Sequence, residues 1–185
     1  MTRFGKKPFT GDSSRTHTLL ESYWSTLAEK GATPREAITL ETSNAGSPVD
    51  FHVYGLRLAQ RMLKSFERCG TPDPAWAVVA EIGCGIGRFV LPMACRFKHV
   101  YAIDISADII VEAKRYCASV PNVTYIVNDG ETLAAVQSES IDYCYSSGVF
   151  QHIIYFETIA GYVHEAFRIL KPHGIFLFSF QIWQT

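Results

Sequence analysis

The segment AEIGCGIGRF, residues 80–89, carries the strongest structural signal in this chain. It follows the apolar run of residues 76–82 and leads into a helical pattern, so it lies at a turn from a strand into a helix. In an open α/β sheet, such a turn is a place where ligands bind. The alternate glycines Gly83, Gly85 and Gly87 let the backbone approach a ligand where a side chain would collide. A tight turn without any ligand is the alternative explanation.

The residues around these glycines narrow the choice of ligand. A P-loop that began at Gly83 would have glycine at position 88, followed by lysine and then serine or threonine. A dinucleotide-binding loop would also have glycine at position 88. This chain has Arg88 there and matches neither pattern. The loop instead has the pattern GxGxG and is preceded by Glu81. This pattern favours a ligand that lacks phosphates and carries a cationic or amine-bearing group near Glu81.

Short apolar runs alternate with helical patterns after residue 74, which is typical of βαβ units and a parallel sheet. The last helical pattern carries one apolar stripe. The predicted strands cover residues 76–82, 99–105, 122–127, 141–146 and 175–180, and the predicted helices cover residues 87–97, 107–119 and 155–170, with a short one after Gly130. The stripe of the last helix comprises Ile159, Val163, Ala166, Phe167 and Leu170.

Residues 1–74 form an N-terminal tail and a helical segment, which we assign separately from the core at residues 75–185. Apolar residues at helical spacing predict helices at residues 15–30 and 50–69, and a capping box at residues 33–36, with proline at the first helical position, predicts a short helix at residues 34–41. The inner face of the third helix is predicted to comprise Val53, Leu56, Ala59, Leu63 and Phe66.

Composition limits the classes of function. The chain has 185 residues, 48% of them hydrophobic, and a net charge of -1, so we expect one globular domain without the basic excess of a nucleic-acid-binding protein. No apolar stretch is long enough to span a bilayer, and the N-terminus lacks the apolar region of a secretory signal. We therefore expect a cytoplasmic protein. The five cysteines form no CxxC pair and the histidines show no ligand spacing, so no metal site is predicted.

Two further acidic residues follow strands of the predicted sheet. Asp104 comes 21 residues after the first loop glycine (104 − 83 = 21), where a carboxylate receives the ribose hydroxyls of a nucleoside. Ile105 would then lie against an adenine ring, whereas the alternative role of Asp104 is to cap a helix ahead of Ser106. After the third strand, Asp129 beside Gly130 can accept a hydrogen bond from an exocyclic amine, although turn chemistry alone also favours these residues.

The order and spacing of five segments resemble the class I S-adenosylmethionine-dependent methyltransferases over residues 75–180. The segments are AEIGCGIGRF, VYAIDIS, VNDGE, IDYCYSSGVFQHI and ILKPHGIFLFSF. The resemblance implies a Rossmann-like, doubly wound and mostly parallel α/β sheet with strand order 3-2-1-4-5 and an N-terminal helical lid. His173 departs from the common KPGG turn of the family.

The resemblance also assigns a role to each residue of the cofactor site. Asp104 binds the ribose of S-adenosylmethionine, Ile105 packs on the adenine, and Asp129, with Gly130 beside it, binds the adenine amine. The methionine part lies against Glu81, Gly83, Cys84, Gly85 and Gly87, with Ser146 and Ser147 near its amine and the sulfonium.

The sulfonium carbon is already electrophilic, so the protein has to align an acceptor and exclude water. An acceptor that loses a proton can use a general base near the end of the fourth strand, where Gln151 and His152 stand. A packing role at the entry to a helix is the favoured interpretation of His152, with a catalytic role as the alternative, and no catalytic residue is assigned. Aromatic residues of the N-terminal segment are available for an acceptor pocket, although packing explains their spacing more simply: Tyr23, Trp24, Phe51, His52 and Tyr54.

The family's sheet normally continues beyond the fifth strand, and strands 6 and 7 have no counterpart before Thr185. The fifth strand would be an exposed apolar edge, which natural proteins avoid. We therefore expect a fragment of a longer protein, or a homodimer or other partner subunit that covers this edge, or coverage by the N-terminal segment.

These features predict methyl transfer from S-adenosylmethionine to a small-molecule acceptor, without a nucleic-acid or membrane partner. The first alternative is a module that binds S-adenosylmethionine without catalysis, as a regulatory subunit or an incomplete fragment. A nicotinamide-dependent oxidoreductase is the second, and Arg88 in place of glycine argues against it.

Overall fold

The computed structural model describes residues 48–69 and 72–179, and within them a five-stranded parallel sheet has the order β3-β2-β1-β4-β5. This order confirms the predicted Rossmann-like α/β fold. The strands are β1 (Val78–Ile82), β2 (His99–Asp104), β3 (Val123–Val127), β4 (Ile141–Ser146) and β5 (Leu170–Phe178). The helices are α1 (Pro48–Arg68), α2 (Val90–Ala94), α3 (Ala107–Tyr116) and α4 (Phe156–Ile169), and none in the described part is long and apolar enough to cross a membrane.

Helices cover both faces of the sheet, because the strands are apolar on both sides. On one face, Phe66 of α1, Met93 of α2 and Tyr143 of β4 belong to one buried cluster that also includes part of α3. On the other face, Ile169 of α4 packs in a cluster with Leu133 and neighbouring strand residues. Helix α1, from the N-terminal segment, therefore shares a core with the strands.

The buried face of α1 differs from the predicted one. Val53 and Leu56 are exposed, whereas Phe51, Ala59 and Phe66 are buried. The helix is rotated about its axis because Gly55 faces the glycine loop, where a Cβ atom would lie 2.5 Å from the carbonyl oxygen of Arg88. The helix also begins at Pro48, two residues before the predicted start. The predicted helices at residues 15–30 and 34–41, with Tyr23 and Trp24, lie outside the described residues.

Three other predictions about helices are wrong. Helix α2 spans only Val90–Ala94, because the residues before it belong to the turns of the glycine loop. Residues 131–140 form turns rather than a short helix. In α4, Phe167 is 67% exposed, because the buried stripe runs through Tyr162, Ala166 and Ile169.

The β4–β5 pair contains a bulge. Ile141 pairs with Leu170, whereas Tyr143 pairs with Ile175, so the one intervening residue of β4 lies opposite four residues of β5. Strand β5 therefore begins earlier than predicted, and the KPHG turn lies within it. His173 adopts the left-handed region at φ 69°, where glycine is the usual residue.

Arg168 of α4 holds the turns at residues 131–140. Its guanidinium donates to the carbonyl oxygens of Leu133 (2.9 Å) and Val136 (3.0 Å) and to the carboxylate of Glu165 (2.8 Å). Glu165 in turn accepts from the backbone N–H of Leu133 at 2.8 Å. A planar guanidinium can make these bonds at once, whereas a lysine ammonium cannot.

We expect Arg168→Ala to lower the free energy of unfolding by about 2 kcal/mol, because two carbonyl groups and a carboxylate lose a charged donor. Arg168→Lys should recover less than half of this loss. Urea unfolding of the purified chain measures both variants. The matched control is Arg115→Ala, which removes an exposed i,i+3 ion pair with Glu112 and should cost less than about 0.5 kcal/mol. Equal losses for Arg168→Ala and Arg115→Ala would contradict this role of Arg168.

Candidate functional site

The glycine loop lies between β1 and α2, at the carboxyl end of the sheet. Gly83, Gly85 and Gly87 have φ angles of 75°, 52° and 90°, in a region that residues other than glycine rarely adopt. The N–H groups of Gly83 and Cys84 both donate to the carbonyl oxygen of Ile103, at 2.8 and 2.9 Å. The loop is therefore fastened to the end of β2.

Asp104 connects the end of β2 to the loop. Its Oδ2 atom accepts from the N–H of Gly85 (2.9 Å), and its Oδ1 atom accepts from the N–H of Ser106 (3.1 Å). Burial raises the pKa of Asp104, and these two hydrogen bonds oppose that shift. The Ser106 hydroxyl caps α3 by accepting from the N–H of Ile109. Asp104 is thus a loop anchor, and its carboxylate keeps lone pairs for a further donor.

The hydrogen bonds of the loop indicate what it can bind. A phosphate-binding loop points several free N–H groups at one anion. Here the N–H groups of Gly83, Cys84 and Gly85 donate within the protein, and that of Gly87 donates to the carbonyl oxygen of Cys84 at 3.1 Å. These four amides are therefore not available to an anion, and two carboxylates, Glu81 and Asp104, flank the loop, which does not suit a dinucleotide.

Glu81 is the second carboxylate of the site and is 1% exposed. Its Oε2 atom accepts from the Tyr145 hydroxyl at 2.8 Å. Burial raises the pKa of Glu81 to about 8, although the Tyr145 hydrogen bond and the charge of Arg88 both act to lower it. A cationic ligand group would favour the ionised carboxylate, because opposite charges attract strongly where water is excluded.

The end of β4 completes the site. The Ser146 hydroxyl donates to the carbonyl oxygen of Ile82 at 3.0 Å, which brings the ends of β1 and β4 together. Val149 lies so close to Gly83 that a Cβ atom there would be 2.2 Å from a Val149 methyl carbon. Gln151 and His152 follow in a short 3-10 helix, with their side-chain nitrogens 3.4 Å apart.

The side chains of the remaining predicted site residues are partly or fully buried, or form hydrogen bonds within their own turn. The Cys84 side chain points into the core and is 4% exposed, so only its backbone is available to a ligand. Ile105 is half-buried. Asp129 accepts from the N–H groups of Glu131 (2.9 Å) and Thr132, so it organises its own turn beside Gly130, which has φ 78°. Burial raises the pKa of Asp129, but these hydrogen bonds outweigh it and leave the pKa below its ordinary value.

Tyr145 and Val149 have no role predicted from the sequence, in which Arg88 is notable only because it replaces a glycine. The Arg88 guanidinium lies over the rings of Phe51 (5.6 Å) and Tyr54 (5.1 Å), so the first two turns of α1 cover the end of the loop. A β-strand tyrosine beside a strand glutamate is a weak signal, because the two are 64 residues apart in sequence.

S-adenosylmethionine, the ligand implied by the resemblance, fits these residues. Its sulfonium and ammonium groups are cationic, and Glu81 supplies a buried carboxylate beside the loop. Its ribose hydroxyls need an acceptor, and Asp104 supplies one. Its lack of phosphates agrees with the internally bonded loop. Among the described residues, no group of three His, Cys, Asp or Glu side chains could hold a metal ion.

Comparison with known proteins supports the same family. Residues 80–178 match the family described as "Methyltransferase domain". A structure of the Haemonchus contortus phosphoethanolamine N-methyltransferase 1, in complex with phosphoethanolamine and S-adenosylhomocysteine, has a TM-score of 0.71 at 19% identity and covers 90% of this chain and 33% of that protein. At this level of sequence identity, the similarity establishes a shared fold and nothing further.

Two curated relatives differ in their named reactions. The S-adenosyl-L-methionine-dependent Diels-Alderase of Talaromyces variabilis is 32% identical over 108 residues, which is 56% of this chain and 36% of the relative. A 23S rRNA uracil methyltransferase of Methylococcus capsulatus is 30% identical over 84 residues, which is 44% of this chain and 19% of the relative.

This chain spans less than half of the length of each of these three proteins. The family match covers more than half of the chain, and it includes the end of β1 with Glu81, β2 with Asp104 and β4 with Tyr145. The chain therefore belongs to the class I S-adenosylmethionine-dependent methyltransferase family.

Proposed function

We propose that this chain binds S-adenosylmethionine at the glycine loop and transfers its methyl group to a small-molecule acceptor. The observation that carries this proposal is the pair of buried carboxylates, Glu81 and Asp104, on either side of a loop in which the amides of all three glycines donate within the protein. When bound, the cofactor supplies an electrophilic methyl carbon.

The chain's own residues bind and orient the cofactor. Asp104 accepts from ribose hydroxyls while it keeps the loop in place through Gly85. Glu81 provides negative charge from within the sheet, and Tyr145 holds its Oε2 atom. Asp129 and Gly130 are proposed to lie at the adenine amine, and Ser146 at the methionine end.

Charge and surface chemistry support a small-molecule acceptor. The net charge of the chain is -1, which gives no general attraction to nucleic acid. The segment after the 3-10 helix that follows β4 is apolar and exposed, with Ile154 at 74% and Phe156 at 75% exposure. A surface of this kind favours an acceptor with apolar parts over a phosphate backbone.

The first experiment is isothermal titration of the purified chain with S-adenosylmethionine, S-adenosylhomocysteine and NAD. We expect the first two to bind and NAD to show no heat, because the amides of the three loop glycines already donate within the protein and Arg88 replaces the glycine of a dinucleotide-binding loop. Transfer of radiolabelled methyl groups is then assayed with small-molecule pools and, as a separate arm, with RNA. Binding of NAD alone would refute the cofactor assignment, and labelled RNA would refute the small-molecule acceptor.

A second candidate is a protein that binds S-adenosylmethionine without methyl transfer. The relative named as a Diels-Alderase favours it, because that name describes a reaction other than methylation. Tight binding of S-adenosylmethionine without formation of S-adenosylhomocysteine in any acceptor pool would favour this candidate over the first.

A further inference from the structure

Tyr145 is the neighbouring residue that forms a hydrogen bond with the Glu81 carboxylate. Glu81 and Tyr145 are direct neighbours in the register of β1 and β4. Among the described residues, the Tyr145 hydroxyl donates the single hydrogen bond that the Glu81 carboxylate accepts, to Oε2 at 2.8 Å. Tyr145 is fully buried and packs edge-on against Phe89, with the ring centroids 6.3 Å apart. Its hydroxyl is thereby held in one position.

We propose that Tyr145 is a positioning residue for the cofactor: its hydroxyl holds Oε2 of Glu81, so that Oε1 is presented to a cationic group of the bound ligand. This inference rests on the proposed function, because it requires an S-adenosyl ligand at the glycine loop. Tyr145 acts through Glu81 and is not assigned a contact with the ligand.

This role of Tyr145 can be measured because the pKa of Glu81 depends on it. Burial raises the pKa of Glu81 to about 8, and the Tyr145 hydrogen bond is the largest influence that lowers it. Burial also raises the pKa of Tyr145 well above its ordinary value, so its hydroxyl remains a donor at neutral and moderately alkaline pH. The charged and titratable groups that face Glu81 are Tyr145, Arg88, Asp104, Cys84 and Cys117.

Of these groups, the two thiols stay neutral over the same pH range, because burial raises the pKa of Cys84 and of Cys117. Arg88 stays positive and favours the carboxylate, whereas Asp104 opposes it. In the ligand-free chain at pH 7, Glu81 is therefore mostly protonated. A cationic ligand group favours the ionised form, so binding releases a proton from Glu81 to solvent.

Removal of the Tyr145 hydroxyl takes away a donor that stabilises the carboxylate. Loss of a hydrogen bond to a charged carboxylate corresponds to a rise in its pKa of about one unit or more. In Tyr145→Phe, ionisation of Glu81 then requires a higher pH. The affinity loss should therefore be large at low pH and small at high pH, whereas general damage to the site would reduce affinity at every pH.

The test compares the Kd of S-adenosylhomocysteine for the wild type and Tyr145→Phe, by isothermal titration between pH 6.5 and 9.5. The ligand's own amine titrates in both proteins and cancels in the ratio of the two Kd values. Tyr143→Phe is the matched control, because Tyr143 lies in the same strand, is 1% exposed, and donates to the carbonyl oxygen of Pro72 at 2.6 Å. Thermal unfolding of the ligand-free variants reports whether each remains folded.

We expect Tyr145→Phe to weaken binding about tenfold at pH 6.5 and less than twofold at pH 9.5, and Tyr143→Phe to show a ratio near one throughout. A Tyr145→Phe ratio that is constant with pH, or near one, would overturn the role of Tyr145 alone. If Tyr145→Phe does not fold, wild-type titrations at pH 7 in phosphate and Tris buffers decide. Release of close to one proton per ligand supports the proposal, and no release overturns it. Failure of the wild type to bind refutes the proposed function itself.

Discussion

Glu81→Gln is expected to stabilise the ligand-free chain by about 3 kcal/mol at pH 7 and to weaken cofactor binding ten- to a hundredfold. Burial raises the folded-state pKa of Glu81 from its ordinary value of 4.5 to about 8. The folded chain therefore holds more protons than the unfolded chain between these values, and its stability falls as the pH rises from about 4.5 to 8. Glutamine carries no charge, and its amide can still bond to Tyr145.

Urea unfolding at pH 5, 7 and 8.5 measures this effect. The advantage of Glu81→Gln should grow from pH 5 to pH 8.5 and then level off, because Glu81 is ionised above its folded-state pKa. Glu112→Gln is the matched control, since Glu112 lies on the surface of α3 in an ion pair with Arg115 and should show no such trend. A variant that is less stable than the wild type at pH 8.5 would refute the burial of an ionisable carboxyl at Glu81.

Asp104→Ala is expected to weaken the binding of S-adenosylmethionine more than a hundredfold and to lower the free energy of unfolding by about 2 kcal/mol. The binding loss has two causes. The variant removes the acceptor proposed for the ribose hydroxyls, and it releases the N–H of Gly85, which Asp104 holds at 2.9 Å. The loop can then leave the conformation that the ligand requires.

Isothermal titration and urea unfolding separate these effects. Asp108→Ala is the control, because Asp108 is an exposed acidic residue in the first turn of α3 and should cost less than about 1 kcal/mol without changing affinity. Asp104→Asn keeps one acceptor oxygen but places an amide donor among donors, so it should resemble Asp104→Ala in binding. Near-normal affinity in both Asp104 variants would mean that the loop does not bind the cofactor through this carboxylate.

Much of the fold was predictable because its signals are local in sequence. The apolar runs of β1, β2 and β4 matched the observed strands to within two residues, and α4 was predicted within one residue at each end. Helix α2 was overestimated because the pattern does not show where the loop turns end. The buried face of α1 was predicted correctly at Ala59 and Phe66 but wrongly at its start, at Val53 and Leu56, because Gly55 contributes no apolar signal. The close approach of Gly55 to Arg88 sets the rotation of the helix.

The sequence by itself determined the α/β class, the glycine loop and the two carboxylates near it, since spacing along the chain is enough to place a glycine or an aspartate at a strand end. The tertiary structure alone decided how these groups are used. It set the hydrogen bond from Tyr145 to Glu81, the contact of Val149 with Gly83, and the fastening of the loop to Ile103. These contacts depend on the register between strands far apart in sequence, and register is fixed by the packing of the whole sheet.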